Sequence, residues 1–515
     1  MEFMKVSKDG WGFEGVESGK SFFPFGANFI FDSSTDPKDP PSGNQNLHIL
    51  VEDEWKPEPI KKAFKAAADL NMNIMKCFMA IPYVVGDPQE PGNFKLREMT
   101  PSLFERLDFL FEVAEENNIY ISLTFSEWCV VGSKWFHEGG AFFGCDEPGK
   151  LDSFAILRQM CTAIAQHCKD KKALFAYNLA VELYLPAANW GGSRGEHWFQ
   201  FSDEIGTKPM QRWLKYKYNN IEALNAAWET AYKSFDDIEQ PVIKWYKGKG
   251  KYSVPNIVLS DYNDFKECVT YFFLKNMTDA LRAADPNHMI TIGLHPDQPG
   301  LNSCGWGMKH CGIGSGELDN FDFVTLHVYT NFDYLINRPE LPKDIGTAYA
   351  ATKEDYLRRL RECMIYARFN YFGKPCVMEE FGNPVRDKDE CMNICIDTVK
   401  FLAGHVAGYQ LWFLGSSYGN EFPGPMNFGY TINSFGEEWK KLNAPGGYVE
   451  KEIPKSRIPA KTTIFLDRLF ENAPDKQTAV EKVLYNWDAY EHPVDYKLPR
   501  NEILADMKAK GLTKV

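Results

Sequence analysis

Apolar and polar positions fall into two kinds of block that alternate along most of this chain. The first kind is a short run that is apolar almost throughout: Ser21–Phe31 (SFFPFGANFIF), Asn73–Ala80 (NIMKCFMA), Tyr120–Phe125 (YISLTF), Ala173–Glu182 (ALFAYNLAVE), Met289–Gly293, Phe323–Val328, Pro375–Glu380 and Gly408–Phe413 (GYQLWF). Unbroken apolar runs of this length predict strands buried on both faces, as in a parallel sheet. The second kind is longer and repeats its apolar residues at three- and four-residue steps: Pro59–Leu70, Pro101–Asn117, Asp152–Asp170, Tyr262–Ala284, Glu354–Phe369 and Asp389–Ala403. That spacing predicts amphipathic helices.

Strand and helix alternate from the first run to the eighth. The pattern predicts an α/β fold, a (β/α)8 TIM barrel, over an open doubly wound sheet. No Gly-rich loop follows the first strand, which also disfavours the dinucleotide-binding folds. The rhythm breaks once. Residues 183–258 form a long insertion after the fourth strand, with a helical hairpin at Met210–Thr230. An insertion at that end of a strand is expected over the barrel mouth. The expected division is therefore a lead-in at 1–20, a barrel at 21–444 carrying the 183–258 insertion, and a helical tail at 445–515 that packs on the barrel or on a partner subunit.

Two of the strands end in acid. The fourth runs apolar to Glu182, and the seventh, KPCVMEEFG, carries Glu379 and Glu380 at its tip. A buried carboxylate is costly unless it is partnered, so an apolar strand with an acidic end points to chemistry more than to stability. Side chains alternate along a strand, so only one of Glu379 and Glu380 is expected to face a given site. Two strand-tip carboxylates at the same end of a parallel barrel suit glycoside hydrolysis, in which one acid protonates the leaving oxygen and the other attacks or activates water. Glu127 and Trp128, at the tip of the third strand, also face the expected mouth.

Composition narrows the partners. The 515 residues carry a formal charge of −13, with a pI near 5.4, which argues against nucleic acid or an anionic membrane as partner. Cysteines number 12, without CxxC spacing, so neither a zinc site nor a disulfide scaffold is expected; buried thiols in a reducing cytoplasm are. The N-terminus lacks the apolar core of a signal peptide, although a chain trimmed of its leader for secretion or the periplasm would look the same. The pattern calls for no metal and no cofactor, and leaves a homo-oligomer open.

With both carboxylates placed, residues 20–445 resemble the clan A glycoside hydrolases, most closely family 5. AYNLAVE is similar to the fourth-strand segment ending in the acid/base, which implies that role for Glu182. KPCVMEEFG is similar to the seventh-strand segment whose Glu before Phe-Gly is the nucleophile, which selects Glu380 over Glu379. FDFVTLHVY resembles the sixth strand that supplies a His and a Tyr to the site, here His327 and Tyr329. GYQLWF resembles the eighth, whose Trp, here Trp412, floors the sugar subsite, and Asn28 matches a first-strand Asn. Two positions depart from the pattern. Val181 stands where the family has Asn before its acid, and Lys76 stands where a second-strand Arg approaches the nucleophile. The resemblance implies a retaining β-glycosidase, with β-mannoside or β-glucoside substrates favoured. An endo-β-glycanase of mannanase or cellulase type and a non-catalytic carbohydrate-binding barrel remain the alternatives.

Overall fold

A computed structural model of the chain describes residues 1–30, 50, 55, 57–79, 101–125, 153–179, 203–241, 245–246, 251–252, 254–294, 321–329, 374–382, 388–404, 406–415 and 434–456. Its centre is one parallel sheet. The strands are Phe25–Ile30, Ile74–Phe78, Tyr120–Thr124, Leu174–Asn178, Met289–Thr291 continued by Gly293–Leu294, Val324–Tyr329, Cys376–Gly382 and Gly408–Gly415. All of their pairings are parallel.

The sheet closes through its fifth strand. The first half of that strand, Met289–Thr291, pairs with the fourth strand through Met289↔Ala176 and its neighbours. The second half, Gly293–Leu294, pairs with the sixth through Gly293↔Thr325. The two ends of the sheet order are thus two pieces of one strand, and the eight strands form a barrel. Helices follow the strands on the outside: Pro57–Asp69, Pro101–Glu116, Ser153–Cys168, Asn256–Ala284 and Lys388–Ala403. Their inner faces meet the outward side chains of the sheet in one large apolar cluster that includes Phe64, Phe111, Ile164, Leu281 and Leu402.

The first apolar run is not one strand, as its sequence predicts, but two. Ser21–Phe22 turns antiparallel onto Phe13–Gly15, which pairs in turn with Met4–Val6. Pro24 sits at the break, where it offers a carbonyl but no N–H; Tyr409 N donates to Pro24 O at 2.9 Å. Gly408 permits that approach, since a Cβ there would meet Pro24 Cγ at 2.4 Å. The small antiparallel sheet closes the N-terminal end of the barrel. Its Phe13, fully buried, packs edge-on against Phe175 and Phe323 with ring centroids 5.0 and 5.1 Å apart.

Within the insertion, the expected hairpin is present as helices Asp203–Tyr218 and Ile221–Trp228. Asn220 caps the second, accepting from Ala223 N at 2.8 Å, and Asn219 takes the left-handed conformation (φ 62°) that the tight connection requires. Asp261, on the long Asn256–Ala284 helix, ties the hairpin down. It accepts from Trp228 Nε1 at 2.7 Å, Tyr218 Oη at 2.5 Å and Lys217 Nζ at 2.8 Å. The tail begins with helix Tyr448–Ser456. The tail's two further helical patches, and the helix expected at Glu354–Phe369, lie outside the described residues.

Candidate active site

The inside of the barrel is apolar at one end and charged at the other. Ile74, Tyr120, Phe175, Met289, Phe323 and Val377 pack around Phe13 at the N-terminal end. One step further along the strands, the inward positions turn polar. Lys76, Asn178, Thr325, His327, Glu379 and Glu380 are all buried there.

Both glutamates of the seventh strand point inward, against the alternation expected from the sequence. Cys376, Met378 and Phe381 face the helices in the outer cluster, whereas Val377 faces the barrel interior. Strict alternation from Val377 would place Glu379 inside and Glu380 outside. A β-bulge changes this. Leu326 pairs with Met378 but His327 pairs with Glu380, and on the other edge Met378 pairs with Tyr409 but Phe381 with Leu411. Glu379 is the extra residue against the sixth strand, Glu379 and Glu380 together stand opposite Gln410 of the eighth, and the kink turns both glutamates inward. Asn28 satisfies the backbone at this irregularity: its amide donates to Glu379 O at 2.9 Å and to Leu411 O at 3.2 Å.

Lys76 stands opposite, on the second strand. Its Nζ lies 2.8 Å from Glu380 Oε1 and 3.1 Å from Glu379 Oε2, with the ammonium fully buried. His327 adds a second bridge. Its Nε2 is 3.2 Å from Glu379 Oε2 and its Nδ1 is 3.2 Å from Glu380 Oε2. Asn178 donates to both oxygens of Glu379, at 2.7 and 2.8 Å, and Thr325 Oγ1 donates to Glu379 Oε2 at 2.8 Å. Burial by itself pushes the Glu379 carboxyl up, but the Lys76 ammonium, followed by His327 and Thr325, outweighs it and holds the group at about 2. For Lys76 burial works to lower the value, and the two carboxylates overcome it, so the ammonium titrates above its ordinary range.

Trp412, on the eighth strand, meets Phe78 of the second edge-on at 6.3 Å, and Lys76 Nζ lies 5.0 Å from the Phe78 ring centre. Among the sequence-derived candidates, the structure therefore brings Asn28, Lys76, His327, Trp412 and Glu380 to one region of the barrel. The sixth strand ends at Tyr329, whose side chain lies outside the described residues, as do Glu127, Trp128, Val181 and Glu182. Sequence reasoning passed over Glu379, Asn178 and Thr325. The clue was present: two adjacent acids in a buried strand both need partners, and a position against the helices gives the outward one none.

Three comparisons bear on this arrangement. A β-galactosidase family model, that of glycoside hydrolase family 42, matches residues 155–333, from the helix before the fourth strand to just past the sixth. A curated relative, "Mannan endo-1,4-beta-mannosidase 3" of Arabidopsis thaliana, is 26% identical over 161 residues, covering 28% of this chain and 36% of the relative. Together these two matches support a clan A glycoside hydrolase. Solved structures share the barrel fold. A cold-adapted β-galactosidase from Rahnella sp. R3 matches with a TM-score of 0.55 at 15% identity, over 88% of this chain and 58% of that one. A polyextremophilic β-galactosidase from the Antarctic haloarchaeon Halorubrum lacusprofundi matches with a TM-score of 0.51 at 15% identity, over 76% of this chain and 56% of that one. The chain thus spans only part of the length of these relatives. Its departure at the second strand has a visible consequence: Lys76 reaches both glutamates with one ammonium, without the planar fork an Arg would bring.

Proposed function

We propose that the protein is a retaining β-glycosidase acting on β-linked glycosides or short oligosaccharides, with β-mannosides favoured over β-glucosides. The observation that carries the reading is Glu380: a buried carboxylate near the C-terminal end of the seventh strand, 2.8 Å from the buried Lys76 ammonium. In this reading Glu380 attacks the anomeric carbon. Lys76 and His327 orient it and stabilise its charge before attack. Glu182, a few residues past the fourth strand, carries the proton for the leaving oxygen and then takes one from water, which completes the double displacement. The roughly 5–5.5 Å separation that retention requires is the expected distance between the carboxyls of Glu182 and Glu380.

The mannoside preference rests on the curated relative, which is by name a mannosidase. Val181 stands where the family aims an Asn at the sugar 2-hydroxyl, the position at which mannose and glucose differ, so the panel below decides between them. The relative's printed name also favours a second reading, endo-action within a mannan chain.

The test is hydrolysis of a panel of p-nitrophenyl β-glycosides and of manno-oligosaccharides by wild type, Glu380→Ala and Glu182→Ala. Cleavage of one sugar, abolished in Glu380→Ala and rescued by azide in Glu182→Ala, is the expected result. Internal cleavage products from the oligosaccharides would select the endo reading. Silence on every substrate, with sugar binding intact, would overturn the enzymatic assignment in favour of a carbohydrate-binding barrel.

A further inference from the structure

The mechanism above uses one glutamate of the bulged pair and leaves the other without a role. Glu379 is as deeply buried as any side chain in the barrel, and it is held by contacts from Lys76, His327, Asn178 and Thr325. A bulge with an acid at its extra position is not needed to build a barrel. The apolar alternative, a Val at 379, would occupy an inward position without a charge to neutralise.

The geometry of His327 gives Glu379 a function. Each ring nitrogen lies 3.2 Å from an oxygen of a different glutamate. A neutral imidazole has one N–H and one bare nitrogen, and an ionised carboxylate is only an acceptor. A neutral ring could therefore donate to one of the two carboxylates at most, and would leave its bare nitrogen 3.2 Å from an oxygen of the other, whichever tautomer it took. Charge balance points the same way. The charged groups facing the ring among the described residues are Glu379 and Glu380 on the seventh strand and Lys76 on the second. Among these described groups Lys76 brings one positive charge to two buried carboxylates, and a protonated His327 brings a second.

We propose that Glu379 is a positioning residue that keeps His327 in the imidazolium form, so that Glu380 is flanked by two fixed cations, His327 and Lys76. The proposal deepens the glycosidase reading and rests on it for its catalytic meaning. In the covalent intermediate of that reading Glu380 becomes a neutral ester. Glu379 is then the one anion of the cluster left to hold both cations in place, and the charge arrangement survives for the second half of the reaction. Without it, two buried cations would face an ester, and His327 would lose its proton and its orientation.

The test reads the ring itself. Protein selectively labelled with 15N-histidine is titrated from about pH 6 to 9, and the His327 signals are identified by their loss in His327→Gln. In wild type both ring nitrogens are expected to carry protons at pH 7. In Glu379→Gln, which keeps the shape and the amide contact to Asn178, the ring is expected to titrate lower by about one to three pH units, the effect of removing one charge at contact distance. Glu379→Asp, which keeps the charge, is expected to keep the ring protonated at pH 7 and serves in its place if the Gln variant does not fold. A neutral His327 in the wild type overturns the proposal, and so does a ring whose titration is the same in Glu379→Gln as in wild type. None of these readouts needs hydrolysis. An inactive protein with a protonated, Glu379-dependent His327 would sink the glycosidase reading and leave the charge cluster standing. Where activity is found, the alkaline limb of kcat/KM is expected to move to lower pH in Glu379→Gln, which a merely structural role would not produce.

Discussion

Lys76 and Glu380 close a 2.8 Å ion pair from the second and seventh strands, two strands that do not neighbour each other in the sheet. Neither side chain can retreat to water, since both are buried. Removing one partner therefore strands a charge instead of merely deleting a contact. Lys76→Met is expected to destabilise the fold by about 3–5 kcal/mol, the usual cost of leaving a buried ion unpaired. The fall in the urea midpoint measures it. A loss below about 1 kcal/mol, the size of an exposed pair, would mean that the cluster is open to solvent.

Acid should unlock the same cluster. Glu379 is held at about 2, below its ordinary 4.5. A depressed carboxylate contributes stability that is complete above the ordinary value and is lost as pH falls through the lowered one. Its share of stability is thus present at neutral pH and drains away from about pH 4.5 towards about 2. Asp108 and Asp285 are also held low by their own partners, so the whole protein loses stability in acid, and only a difference isolates Glu379. Thermal unfolding of wild type and Glu379→Gln across this range supplies it. The wild type should show the steeper loss, and parallel curves would refute the assignment.

The N-terminal sheet is expected to act as a structural plug without a part in the chemistry. Phe13 fills the closed end of the barrel, at the opposite end from Glu380. Phe13→Ala should cost about 3–5 kcal/mol through the cavity it leaves. KM for the cleaved glycoside should be unchanged at a temperature where the variant remains folded. A changed KM with unchanged stability would place this sheet in the site instead.

Asp261 should hold the insertion hairpin to the barrel wall. It is buried and accepts from Trp228, Tyr218 and Lys217. Asp261→Ala leaves the Trp228 N–H and the Tyr218 hydroxyl without their acceptor, and about 1–3 kcal/mol is expected for each such group that stays dry. Hydrogen exchange should rise in Asp203–Tyr218 and Ile221–Trp228 before it rises in the strands. Uniform exchange across the molecule would show that the hairpin and barrel unfold as one unit.

Most of the barrel was legible because its strands are apolar on both faces and its helices on one. The eight runs and the hairpin in the insertion follow from residue pattern and order, and the approach of Lys76 to Glu380 follows from the family resemblance. What escaped the pattern was backbone irregularity. Alternation assigned one of Glu379 and Glu380 to the outside, and the bulge turned both inward. Pro24 split the first run between two sheets, and a break at Ile292 let the fifth strand pair on both sides and close the barrel. Asn178 and Thr325 read as ordinary strand residues, because what makes them matter is a carboxylate on another strand. Bulges and cross-barrel partners are set by tertiary geometry, which the local spacing of apolar residues does not encode.

In the proposed reaction Glu380, and not its equally buried neighbour, forms the covalent bond to sugar. The direct measurement is trapping with an activated 2-deoxy-2-fluoro analogue of the glycoside the protein cleaves, followed by peptide mapping and fragmentation across Lys374–Gly382. One sugar on Glu380 per chain, with Glu379 unmodified, is the predicted result. A label on Glu379 or outside this strand, or inactivation without a covalent adduct, would rule out Glu380 as the nucleophile.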